Sequence, residues 1–122
     1  MKTSSAKSKG RRCSQELKDL LLKHAPHLEN DDIIVTPSGV TGPDVMLSPL
    51  AKKFYPITSE CKNVEALNIW KALEQSESHA KNTQLEPILF FKRNRTKLYA
   101  CLDAEQLVKL LTLLNKNVKV GE

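Results

Sequence analysis

The chain lacks a long apolar run. Nothing in its 122 residues approaches the ~20 consecutive apolar residues of a membrane-spanning helix. The basic stretch MKTSSAKSKGRR has no apolar segment behind it, so a secretory signal is not expected. Cysteine is scarce: Cys13, Cys61 and Cys101 are odd in number and far apart in sequence. That pattern argues against a disulfide framework and against a zinc knuckle. The expectation is reduced thiols in an intracellular protein, with Cys61 and Cys101 in strand-like segments where a small thiol packs well. There are no internal repeats, and no motif that reads base edges.

What is present is an ordinary globular mix, 40% hydrophobic and 27% charged, of a length that suits one domain with one core. The formal net charge is +5, with a pI near 9.2. A basic excess favours an anionic partner, and nucleic acid is the commonest.

Along the chain, residues 1 to 11 hold little that can be buried and are expected to form a flexible basic arm carrying Lys9 and Arg11, with Arg12 just beyond. Residues 12 to 122 are expected to be one domain. A helix is predicted from Ser14 as N-cap to His24, with Leu17, Leu20 and Leu21 as its apolar stripe, ended by Pro26. HLENDD reads as a polar loop. IIVTP is a first strand, and SGVTG a loop with two glycines. VML, just after Asp44, is a second strand. SPLAKKFYP reads as a connection, with Lys52 and Lys53 near its tip, and ITSECKN as a third strand. A helix follows over 64–79, with Ala66, Ile69, Trp70 and Leu73 inward. PILFFK and KLYACL are two further strands around a charged turn containing Lys92, Arg93, Arg95 and Lys97. DAEQLVKLLTLL closes the chain as a helix, capped by Asp103, with Leu107, Leu110, Leu111 and Leu114 inward. VKVGE reads as a frayed tail. The expected fold is α/β: a central mixed sheet of about five strands flanked by helices.

Side chains alternate along a strand, so Thr58, Glu60 and Lys62 share one face of ITSECKN and Ile57, Ser59 and Cys61 the other. Glu60 and Lys62 can be an ion pair on a wet sheet face. They can also be half of a hydrolytic site, because Asp44 lies one strand upstream and a return strand would bring the carboxylates together. Phosphodiester hydrolysis uses a divalent cation to offset charge on the phosphate oxygens. Mg²⁺ takes hard oxygens, usually one or two carboxylates with waters and substrate oxygens. Asp44 and Glu60 supply carboxylates, the Cys61 backbone carbonyl a third oxygen, and Lys62 a group to position or deprotonate the attacking water.

Pro43-Asp44 followed by Glu60-Cys61-Lys62 resembles the PD-(D/E)XK nuclease superfamily over roughly residues 9 to 102. Within it the chain looks most like small Holliday-junction resolvases of archaeal and phage type, supported by Lys9-Gly10 and the helix with Glu16-Leu17 and Leu20-Leu21. The resemblance implies a restriction-endonuclease-like core, Mg²⁺ (Mn²⁺ as substitute), DNA as partner, a homodimer, and an intracellular setting in a prokaryote or phage-infected host. It also implies a catalytic acid in the first helix. Ser14 stands where the family has it, and Glu16 is the candidate here. Several families of the superfamily carry a glutamine on the helix after the motif. Gln75 is that candidate, against a solvent-facing reading by its helical spacing. The turn of Lys92, Arg93 and Arg95 reads as either phosphate contact or a solvated turn, and Lys9, Arg11, Arg12, Lys52 and Lys53 are further candidates for nucleic-acid binding. His24 and His27 read as helix-end groups. The expected function is Mg²⁺-dependent cutting of DNA, selective for branched structures. The alternatives are a duplex nicking, repair or restriction-type nuclease of the same fold, and a DNA-binding module without catalysis.

Overall fold

The computed structural model describes residues 2–115. Helix α1 spans Lys2–Lys23, and a short 3-10 turn spans Asn30–Asp32. The hairpin strands are β1, Ile33–Val35, and β2, Val45–Leu47. Helix α2 is Pro49–Phe54, β3 is Ile57–Asn63 and α3 is Ile69–Ala80. Then come β4, Glu86–Lys92, β5, Tyr99–Cys101, and α4, Ala104–Asn115. No described helix is long and apolar enough to cross a membrane. The VKVGE tail lies outside the described residues.

The α/β class holds, but the five strands do not form one sheet. β1 and β2 are an antiparallel pair, while β3, β4 and β5 form a mixed three-stranded sheet, β3–β4 parallel and β4–β5 antiparallel. The parallel pair follows from the α3 crossover, since parallel neighbours cannot be joined by a tight turn. The split between sheets has a local cause. β1 and β2 are only three residues each. Where β2 meets β3, one backbone bond forms, Asp44 N–H to the Ser59 carbonyl at 3.0 Å. The next donor along β3, the Cys61 N–H, goes to the Asp44 carboxylate at 2.6 Å instead of to a strand.

The core forms where α1 lies on β3. Cys13, Leu17, Leu21 and Ala25 repeat every four residues down one face of α1 and its exit, and all are buried. They meet Leu28, Ile33, Val45, Ala51 and Cys61, with Phe90 and Leu98 packed beside them. Leu20, expected in this stripe, is 41% exposed. The helix also begins at Lys2, not Ser14, so residues 2–11 of the expected arm are helical. Lysine and arginine are good helix formers, and a polar stretch joined to a packed helix simply extends it. Asn63 of β3 ties this polar half down, its Nδ2 donating to the Lys9 carbonyl at 3.1 Å. Gly10 sits inside the helix, where glycine costs about 1 kcal/mol relative to alanine.

The stretch read as a plain connection contains α2. Ser48 caps it by accepting the Ala51 N–H at 3.1 Å and donates to Asp32 at 2.6 Å. That hydroxyl, with the Glu29 N–H, holds the Asp32 carboxyl below the usual carboxylate range. HLENDD likewise ends in the 3-10 turn instead of staying a plain loop.

Helix α3 starts later than expected, at Ile69, because the Asn68 side chain accepts the Lys71 N–H at 3.1 Å. Its sheet-facing residues are Ala72 and Ser76, small enough for close approach, and Trp70 is 79% exposed rather than core. The α4 stripe is also overturned. Asp103 does cap the helix, accepting the Glu105 and Gln106 N–H groups. Yet α4 has no buried residue: of the four expected inward, Leu107, Leu111 and Leu114 are exposed, Leu114 at 72%, and Leu110 is half-buried. An apolar stripe marks a face that gains from burial, and within the described chain nothing reaches over this one.

Leu17→Ala should therefore cost roughly 2–5 kcal/mol, the range for a fully buried leucine. Leu114→Ala should change stability by less than about 0.5 kcal/mol in the monomer. Urea denaturation of both variants at low protein concentration checks this, and equal losses would contradict the burial of α1 and the exposure of α4.

Candidate functional site

The junction of β2 and β3 brings Asp44, Glu60 and Cys61 together. The Asp44 carboxylate is fixed by the Cys61 N–H, and the Asp44 N–H by the Ser59 carbonyl. A strand residue's N–H and C=O point the same way. The carbonyl of Cys61 therefore faces the Asp44 edge along with its N–H. The Cys61 side chain turns instead into the core beside Cys13. Hydrogen bonding with Cys13, and then burial, pushes its thiol up from the ordinary cysteine value, which leaves it a packing group.

Glu60 is 5% exposed. Burial raises its carboxyl above the ordinary carboxylate value, and the nearby charge of Asp44 raises it further. The hydrogen bond and charge of His79, and the charge of Lys62, oppose the rise. The Asp44 charge is thus within electrostatic reach of the Glu60 carboxyl. Lys62 is half-buried and has no ion pair among the described residues.

Sequence reasoning missed His79. Its Nδ1 contacts Glu60 Oε1 directly. On α3 the face toward the sheet runs Ala72, Ser76, His79, at helical spacings of four and three. That stripe was readable only by treating small residues, rather than Trp70 and Ile69, as the packed face. Gln75 is exposed and off this face.

Glu16 is held in an ion pair. Its Oε2 accepts from Lys92 Nζ at 2.8 Å, so the expected site acid and one expected phosphate contact are paired with each other. Of the other basic candidates, Lys9 is half-buried, while Arg11, Arg12, Lys52, Lys53, Arg93 and Arg95 are exposed. Arg95 has φ of 68°, in the turn that reverses the chain between β4 and β5. His27 stacks edge-on with Phe54.

The hard-oxygen groups near the junction are the Asp44 carboxylate and the Cys61 carbonyl, while the Glu60 carboxylate turns toward α3 and meets His79. Among the described residues no three His, Cys, Asp or Glu side chains gather as a metal cluster. Carboxylate and carbonyl oxygens are the ligand type that Mg²⁺ takes, usually with waters completing its shell. A cleft of about 220 Å³ opens between the first half of α1 and the β1–β2 loop, with Asp44 and Cys61 in its lining. Glu60 does not line it, because its side chain leaves β3 toward α3. Comparison with protein-family models, curated proteins and solved structures finds no match to the chain.

The raised Glu60 carboxyl sets a sign for stability. From the ordinary carboxylate value up to its raised value, the folded chain holds a proton that the unfolded chain has released. Stability falls as pH rises through that window and is level above it. Glu60→Gln removes the penalty and keeps a partner for His79. Its melting temperature should exceed the wild type's at about pH 7.5, by on the order of 4 °C per kcal/mol. The gain should fade by about pH 4. Melting curves at both values check this, and a variant less stable than wild type at neutral pH would contradict it.

Proposed function

We propose that this protein is a Mg²⁺-dependent DNA endonuclease acting on branched DNA. The observation that carries the reading is the β2–β3 junction, where Asp44 is fixed on the Cys61 N–H within electrostatic reach of buried Glu60. Asp44, Glu60 and the Cys61 carbonyl are the groups to hold the cation, Mg²⁺ or Mn²⁺ in its place. When bound, the cation offsets negative charge on the phosphate oxygens. Lys62 shares a strand face with Glu60 and is free of ion pairs among the described residues, so its Nζ is available to orient the attacking water or take its proton. His79 holds Glu60 in place from behind. The charge of +5 suits a polyanionic substrate. In this reading Glu16 is a structural partner of Lys92, not a site acid.

The preference for branches rests on symmetry. One site cuts one strand, and resolving a four-way junction takes two symmetric cuts, hence two copies. The exposed leucines of α4 support such an assembly, since apolar surface of this kind marks association.

Asp44→Asn, Glu60→Ala and Lys62→Ala should each lower cleavage at least ~10²-fold with the fold retained. Ca²⁺ should support little cutting, because its looser geometry suits this chemistry poorly. Cleavage assays of the purified variants check this. Wild-type turnover in all three, or full activity in EDTA, would overturn the mechanism.

Labelled four-way junction, flap, single-stranded and linear duplex DNAs of matched sequence test the substrate. The junction should be cut more than about tenfold faster than duplex, by a protein sedimenting at twice 13.7 kDa. A monomer cutting both equally would favour a duplex nuclease of the same fold.

A further inference from the structure

The cleft beside Asp44 has walls of distinct character. Lys7, Arg11 and Ser14 lie along one stripe of α1, four and then three residues apart, and face Thr36 and Ser38 of the β1–β2 loop. Lys7, Arg11 and Ser38 are exposed at the mouth, whereas Ser14 is buried and Asp44 half-buried at the floor. Neither Lys7 nor Arg11 has a carboxylate partner among the described residues. Two unpaired cations on one wall form a site for anions, and the arginine fork suits phosphate oxygens.

Gly10 supplies an independent observation. It weakens the middle of α1, yet packing does not require it, because a Cβ there would meet nothing within 4 Å. The space beside it is the cleft. A bare backbone at that point leaves room for a ligand to lie against the helix between Lys7 and Arg11. At about 220 Å³ the cleft is smaller than the ~300–1,000 Å³ typical of small-molecule pockets. It suits a sugar–phosphate segment better than a bulky cofactor.

We infer that this cleft seats the sugar–phosphate backbone of one DNA strand, with its phosphates on Lys7 and Arg11, as the strand runs up to Asp44. The inference deepens the nuclease reading and rests on it for the choice of DNA. Asp44 at the floor repels phosphate, so the strand's charge sits at the mouth on the two cations. Thr36 donates its hydroxyl to the Pro43 carbonyl. The loop wall is therefore braced against the same segment that positions Asp44.

The test is binding of a labelled ~12-nucleotide single-stranded DNA, by fluorescence anisotropy in EDTA across a salt series, so that no cutting enters. Lys7→Ala/Arg11→Ala should weaken binding at least tenfold. It should also flatten the slope of log affinity against log salt by about 1.4, two contacts at about 0.7 each for single strands. Lys23→Ala/Lys109→Ala removes the same charge elsewhere and should change affinity less than threefold. Gly10→Gln fills the cleft without changing charge. It should weaken binding while leaving the helix at least as stable by circular-dichroism melting, which separates blockage from unfolding. Equal losses in the two double variants would reduce the effect to net charge and overturn the inference. So would wild-type affinity in Gly10→Gln. Loss of binding in the cleft variants, alongside wild-type cleavage by the Asp44, Glu60 and Lys62 variants, would keep the cleft and remove the proposed chemistry.

Discussion

The arrangement depends on one hydrogen bond, from the Cys61 N–H to the Asp44 carboxylate. It substitutes a side chain for the strand that would otherwise continue the ladder. The hairpin and the three-stranded sheet consequently meet at a point instead of merging. The bond also fixes a carboxylate within electrostatic reach of a buried glutamate. Burial at 5% exposure disfavours the charged form of Glu60, and the Asp44 charge adds to that. Perturbed carboxyls of this kind occur at functional sites and also in structural ion-pair networks.

Strand β3 separates two environments. Toward α1, Cys61 packs with Cys13 and Leu17 in the driest part of the molecule. Toward α3, Glu60 meets His79. Small residues on α3 let that helix approach closely enough for the histidine to reach. The core thus holds β3 from one side while the other side carries ionisable groups, and the carboxylates inherit rigidity from the packed thiols and leucines behind them.

Apolar surface is distributed unevenly. The core of α1, β1, β2 and β3 is closed, while Trp70 and the leucines of α4 remain exposed. Helices α1 and α3 pack on the three-stranded sheet, whereas α4 has no buried residue. Burial of α4 requires something beyond a single copy of these residues.

Much of the chain was legible from residue order. The strands at Ile33, Val45, Ile57, Glu86 and Tyr99 follow β-branched and aromatic runs bounded by turn residues. The α1 stripe follows a helical period, Asp103 caps α4, and the alternation of Glu60 with Cys61 on β3 follows from strand geometry alone. These depend on neighbours in sequence, and local sterics determine them. What remained hidden depended on partners far along the chain. The division into two sheets turned on which acceptor the Cys61 N–H would find. The pairing of Glu16 with Lys92 joins residues on α1 and β4, and His79 reaches Glu60 only because α3 packs on Ala72 and Ser76. An apolar stripe says that a face gains from burial but not whether a surface exists to bury it, so Trp70 and α4 read as core and stand in solvent. Sequence by itself determined the five strands and the three longer helices in outline; only the tertiary structure decided which of their side chains meet, because meeting is a property of packing between distant segments.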